Sequence, residues 1–148
     1  MLVIIDIQEY YLREFEKQKQ IFNRFIETLE KRIQQAKKEE EIVINLTCFL
    51  DGFTLPEVLQ LLGNYKRRFF LGKEEMDGSD SIHGFFERKK LSPEKIELCG
   101  AFRDVCVLET WKGLKKLNYN LVPIKKDLSI PTTTNWRKIT TYPEGYLE

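Results

Sequence analysis

The chain is poor in the residues from which metal, disulfide and membrane proteins are built. Its 148 residues include one histidine and three cysteines, Cys48, Cys99 and Cys106. An odd cysteine count with no Cys-x-x-Cys spacing argues against a disulfide framework and a structural zinc site, and makes a reducing, cytoplasmic setting the expectation. Charge of neither sign prevails: 24 Lys and Arg against 23 Asp and Glu leave a formal net charge of +1. Basic and acidic residues are interleaved, so no nucleic acid and no anionic membrane is expected as a partner. No stretch reaches the roughly eighteen apolar residues of a membrane span. The opening MLVIIDIQ runs into charge too soon for a signal-peptide core. No Gly-rich turn follows the first apolar run, where IDIQEYY stands. That weakens a nucleotide- or flavin-binding reading.

What is there suits one globular domain over residues 1–148, with 128–148 as an irregular C-terminal tail rich in Thr, Pro and Tyr. Leu2–Ile5 is an unbroken apolar, β-branched run ending at Asp6, the mark of a strand buried on both faces. Phe22, Phe25, Ile26, Leu29, Ile33 and Ala36 recur at helical spacing and predict a long amphipathic helix over 18–38, which KKEEE ends in solvent. A second buried strand follows at 42–46, then the loop TCFLDGF, then a short helix over 55–62 with Pro56 in its first turn and Gly63 after it. A third strand at 68–71 leads to Gly72-Lys73, and Ser79 or Asp80 is the expected N-cap of a helix reaching about 89. The fourth strand is expected at 95–101. The next helix has Asp104 as its N-cap, an apolar face of Val107, Leu108, Trp111, Leu114 and Leu117, and Asn118 at its end. Residues 119–124 read as a fifth strand that Pro123 demotes toward an edge, and 137–141 as a short last one.

Strands alternating with helices predict an α/β fold: a doubly wound, mostly parallel sheet of five or six strands with helices on both faces. Right-handed crossovers put the carboxyl ends of parallel strands on one edge, where ligands bind. Asp6, Lys73 and Cys106 follow three different strands and would meet there. Cys106 lies in the first turn of its helix, where unpaired amides and the helix dipole favour a thiolate. The ordinary alternative is a small buried filler. Together the three residues make a workable nucleophile site. The sulfur attacks a carbonyl, Asp6 moves the proton, and Lys73 holds developing negative charge. Asp6 and Asp104 oppose thiol ionisation; Lys73 and the helix end favour it. Cys99, inside a strand, reads as structural. Cys48, on the ligand edge, reads as structural too, with a redox pairing to Cys106 as the lesser alternative.

The residues resemble a known family. LVIIDIQEYY is similar to the hydrophobic run, Asp, x, Gln opening of the isochorismatase-like cysteine hydrolases, which include the nicotinamidases. IELCGAFRDVCVLETWKGLKKLNYNLVPIKKD resembles that family's strand, cysteine turn, helix and next strand, and FFLGK the strand that delivers its lysine. The resemblance covers most of residues 1–127. It implies a catalytic triad of Asp6, Lys73 and Cys106, and a cis peptide between Ala101 and Phe102 that turns the amides of Phe102 and Cys106 into an oxyanion hole. A small-molecule substrate and a homo-oligomer, a dimer or larger, are also implied. Where nicotinamidases bind a metal through Asp-x-His and further histidines, this chain has TCFLDGF, with Asp51 and no histidine. Neither a metal nor another cofactor is therefore expected. Arg103 is a candidate for pairing with a substrate carboxylate, and Phe49 and His83 are lesser candidates for substrate contact. The expected activity is a small metal-independent cysteine hydrolase acting on an amide-like molecule through a covalent Cys106 intermediate. The alternative is an inactive family member serving as a binding or assembly module.

Overall fold

The computed structural model describes residues 1–133 and 141–148. Its strands are β1 (Leu2–Ile5), β2 (Val43–Cys48), β3 (Arg68–Lys73), β4 (Glu97–Ala101) and β5 (Ser129–Ile130). They form one sheet in the order β3-β2-β1-β4-β5, and every neighbouring pair is parallel. A 3-10 turn (Glu9–Tyr11) leads into α1 (Leu12–Lys17), followed by α2 (Lys19–Lys38), α3 (Pro56–Leu62), α4 (Ser79–Lys89) and α5 (Cys106–Lys116). The α/β expectation holds, and the sheet is parallel throughout.

The central strand shows why. All four residues of β1 are buried, as a strand covered on both faces requires. Right-handed crossovers place α2 and α3 over one face, where they pack together, and α4 and α5 over the other. On α2, Phe25, Leu29, Ile33 and Ala36 form the buried stripe. From β1 the chain winds outward to β3, then returns to lay β4 on the other side of β1. The order of the strands therefore reverses between β1 and β4, and a crevice opens at their carboxyl ends.

Four local expectations are corrected. Lys73 is the last residue of β3 rather than a residue after it. Neither Ser79 nor Asp80 caps α4: Gly78 occupies the cap position, and the Ser79 amide donates to Asp77 Oδ1 at 2.8 Å. Asp104 does not cap α5, whose flanking residue is Val105. Its carboxylate instead accepts from the Thr132 amide and the Tyr142 hydroxyl. Residues 119–124 form no strand, because Pro123 has no N–H to offer a ladder. They make only isolated bridges, Leu121 to Ile96 and Ile124 to Leu147.

The fifth lane is filled by Ser129 and Ile130, beside Gly100 and Ala101. The segment expected to be an irregular tail thus supplies a strand. It also supplies a core residue: Tyr146 is fully buried, packs edge-on against Trp111 with ring centres 5.3 Å apart, and donates its hydroxyl to the Arg103 carbonyl. Trp136, and the strand expected at 137–141 apart from Thr141, lie outside the described residues. Among the described residues no helix is long and apolar enough to cross a membrane.

Candidate active site

β1 ends at Asp6, which takes a left-handed backbone conformation with φ 53°, one that Asp tolerates better than most residues. The turn leaves its carboxylate at the sheet edge. Asp6 Oδ2 and Lys73 Nζ are 2.8 Å apart, and neither side chain is more than 2% exposed. Lys73 also donates to the carbonyls of Glu75 at 3.0 Å and Met76 at 3.3 Å. The ammonium is thus held by one carboxylate and two carbonyls. Asp6 Oδ1 accepts the Cys48 amide at 3.2 Å.

Cys106 reaches the same point from β4. Gly100, in that strand, has φ 118°, and a Cβ there would lie 2.1 Å from the Ile5 carbonyl oxygen. Only glycine lets β4 run this close to β1. The Ala101–Phe102 peptide that follows is cis, and Cys106 opens α5 on the wall of the cavity that Lys73 lines, its thiol near enough to Asp6 and Lys73 to interact electrostatically with both. Among the described residues, neither the Phe102 nor the Cys106 amide donates to a backbone carbonyl.

Burial governs the electrostatics. It pushes the Cys106 thiol up to about 12; the Asp6 carboxylate adds to that, and Lys73 only partly offsets it. Of the opposing influences on the thiol weighed from the sequence, burial and Asp6 together outweigh Lys73, which favours the thiol over the thiolate. Burial likewise raises Asp6 above the usual carboxylate range, although Lys73 and the Cys106 thiol pull the other way. Lys73 itself is raised: burial opposes its charge, but Asp6 more than compensates.

Two cavities meet at Cys106. One, of about 500 Å³, is lined by Tyr11, Cys48, Asp51, Lys73 and several acidic residues. The other, of about 620 Å³, is lined by Tyr10, Tyr11, Arg13, Phe102 and Val105 among others. The structure thus gathers Asp6, Lys73, Cys106 and Phe102. It does not bring in the other three candidates. The Arg103 guanidinium donates to Ser129 Oγ at 2.8 Å, the Ser129 carbonyl at 2.6 Å and the Lys126 carbonyl at 2.8 Å. It anchors β5 and lines neither cavity. Phe49 is 68% exposed and lies over Gly72, outside both cavities. His83 is on α4, with Nδ1 2.7 Å from the Tyr119 hydroxyl.

Three residues of the site escaped the sequence reading. Gln8 is fully buried; its Nε2 donates to the Cys48 and Gly52 carbonyls, and its Oε1 accepts the Cys48 amide at 2.9 Å. It pins the loop after β2 against Asp6. Its signal was the Asp-x-Gln spacing. Thr110, one helical turn beyond Cys106, accepts the Gly78 amide at 3.0 Å and so ties α5 to the loop that holds Lys73. Tyr11 carried no signal beyond its place in IDIQEYY.

Residues 1–138 match the family model described as the isochorismatase domain. The chain belongs to the isochorismatase family. No curated sequence matches it closely enough to count as a relative. Among solved structures, N-carbamoylsarcosine amidase from Thermoplasma acidophilum has a TM-score of 0.68 at 14% identity, covering 90% of this chain and 85% of that one. The nicotinamidase of Bacillus subtilis has a TM-score of 0.69 at 11% identity, covering 90% and 87%. A Caenorhabditis elegans protein described as a ribonuclease reaches 0.69 at 20%, covering 86% of this chain and 62% of its own. At these identities the likeness is one of fold.

The metal of the nicotinamidases does not fit the donors present here. Asp51 accepts the Tyr11 hydroxyl at 2.5 Å, the single imidazole is committed to Tyr119 on α4, and no group of three His, Cys, Asp or Glu among the described residues is arranged to hold an ion.

Proposed function

We propose that this isochorismatase-family protein is a metal-independent cysteine hydrolase of small amide-like substrates, with Cys106 as nucleophile, Asp6 as proton carrier and Lys73 as charge partner. The observation that carries the reading is a buried 2.8 Å Asp6–Lys73 ion pair with the Cys106 thiol against both members, where two cavities meet. An inactive module would need neither a carboxylate in contact with the thiol nor room for a ligand beside it.

The chemistry follows from the protonation states. Cys106 rests as a thiol, so its proton passes to Asp6 as sulfur attacks the carbonyl carbon. Negative charge collects on the carbonyl oxygen, for which the Phe102 and Cys106 amides are available. Such a donor is worth about 3 kcal/mol of barrier. The C–N bond then breaks, Asp6 gives its proton to the leaving amine, and an acyl thioester remains on Cys106. Water attacks the thioester, its proton passing to Asp6. The C–S bond breaks, sulfur recovers a proton, and a carboxylic acid leaves. Lys73 stays charged throughout, since the neighbouring carboxylate favours its ammonium form, and it keeps Asp6 from holding its proton too tightly.

The test is a panel of small amides assayed for ammonia release, with intact mass read during turnover. An acyl adduct on Cys106, and loss of turnover by at least about a thousandfold in Cys106→Ala, are expected. Full activity in that variant would end the proposal.

A further inference from the structure

The first cavity carries a second dyad, Tyr11 with Asp51, that the triad does not use. The Tyr11 hydroxyl donates to Asp51 Oδ2 at 2.5 Å, and both residues line the cavity that holds Cys106 and Lys73. The pair is held from behind: the Tyr10 amide donates to the Asp51 carbonyl at 3.2 Å and the Glu9 amide to the Phe53 carbonyl at 2.9 Å. The Tyr11 ring stands edge-on to the Phe102 ring, centres 5.1 Å apart at 86°. The hydroxyl therefore cannot swing freely. Burial and the Asp51 hydrogen bond keep Tyr11 a phenol, so its one proton is committed to the carboxylate. A phenol oxygen whose proton is spent offers only lone pairs. The remaining wall repeats that polarity: Glu74, Glu75, Asp77 and Glu109 line the same cavity, and its ammonium, Lys73, is already engaged by the Asp6 carboxylate and the Glu75 and Met76 carbonyls.

Resting on the hydrolase reading, we propose that Tyr11, locked by Asp51, is a specificity-determining acceptor that selects substrates presenting an N–H beside the scissile carbon, as a primary amide does. An ester or a carboxylate of the same shape leaves that acceptor facing an oxygen, and is rejected. Tyr11 touches the substrate; Asp51 is its positioning residue.

Iodoacetamide and iodoacetate test this without requiring hydrolysis. They alkylate a thiol by the same displacement of iodide, but only the amide carries N–H donors. Peptide-resolved mass mapping at pH 9 separates Cys106 from Cys48. At Cys106 the amide-over-acid rate ratio should exceed that of the urea-unfolded chain by about tenfold or more, the discrimination expected when a buried acceptor finds or loses its donor. Tyr11→Phe, which keeps the ring and its packing, should return the ratio to within about twofold of the unfolded value, and Asp51→Asn should lower it. Circular dichroism confirms that both variants fold. A folded-chain ratio equal to the unfolded one, or a ratio unmoved in folded Tyr11→Phe, would overturn the assignment. Selective alkylation with no turnover of any amide would sink the hydrolase reading alone. Ammonia release without alkylation selectivity would sink this one alone.

Discussion

The two edges of the sheet both bury charge, and they use it in opposite ways. At the amino edge, Arg32 bridges two carboxylates: its guanidinium donates to Glu97 Oε2 at 2.6 Å and to both Glu41 oxygens at 2.8 and 2.9 Å. Lys125 lies 3.0 Å from the remaining Glu97 oxygen. Burial opposes the Glu41 charge, but hydrogen bonds from Arg32 and the Met1 ammonium overcome it and draw Glu41 down to about 2. At the carboxyl edge one ammonium serves one carboxylate, and a thiol and two cavities adjoin them. There burial outweighs the partner, and both Asp6 and Cys106 are raised. A closed network holds its protons where they are. An under-compensated one leaves a proton ready to move, and that difference separates the brace from the proposed reaction centre.

The sharpest way to break the comparison is Asp6→Asn. It leaves Lys73 charged, buried and without a counter-ion, but also removes a carboxylate whose own charge burial disfavours, so the denaturant midpoint should fall only modestly. Turnover should fall by about a thousandfold or more. Adding Lys73→Met should restore much of the stability and none of the activity, whereas a merely structural ion pair would recover neither or both.

Next in size is Gly100→Ala. A Cβ at 2.1 Å from the Ile5 carbonyl oxygen meets backbone, not a movable side chain, at φ 118°. We expect a loss of about 3 kcal/mol or more. Loss of Cys106 alkylation selectivity should accompany it, because β4 and the cysteine turn are displaced from β1.

The smallest effect belongs to the brace. Glu41 is depressed to about 2 from an ordinary 4.5, so its contribution is present above pH 4.5 and is lost as pH falls through about 2. Allowing for its partial exposure, this is about 1–2 kcal/mol. Asp6, raised, runs the other way: its cost is felt at neutral pH and relieved in acid. Glu41→Gln should flatten the fall in unfolding free energy between pH 5 and 2, and Asp6→Asn should not.

Much of this was legible in the sequence because it follows from periodicity. The apolar runs and the stripe on α2 dictate a parallel α/β sheet, and the sheet brings Asp6, Lys73 and Cys106 to one edge. Periodicity is silent about solvation. The sequence sets the helix end and Lys73 against Asp6 and Asp104 at Cys106 but leaves that balance open, because how far burial raises a thiol is a property of packing. Arg103, Phe49 and His83 lie near the site in sequence, but the structure places each beside a partner of its own: the Ser129 strand, Gly72 and Tyr119. The fifth strand was misplaced because 119–124 has strand composition, while Ser129–Ile130 is too short to have a period. Gln8 and Tyr11 act through long-range hydrogen bonds to the loop after β2; the Asp-x-Gln spacing signals the first, and nothing local in the chain announces the second.

Tyr146 sits behind the helix whose first residue is the proposed nucleophile, its ring against Trp111 and its hydroxyl on the Arg103 carbonyl of the cysteine turn. The turn that carries the sulfur is therefore braced by a ring some forty positions further along the chain, so the setting of the thiol depends on contacts made well outside its own helix.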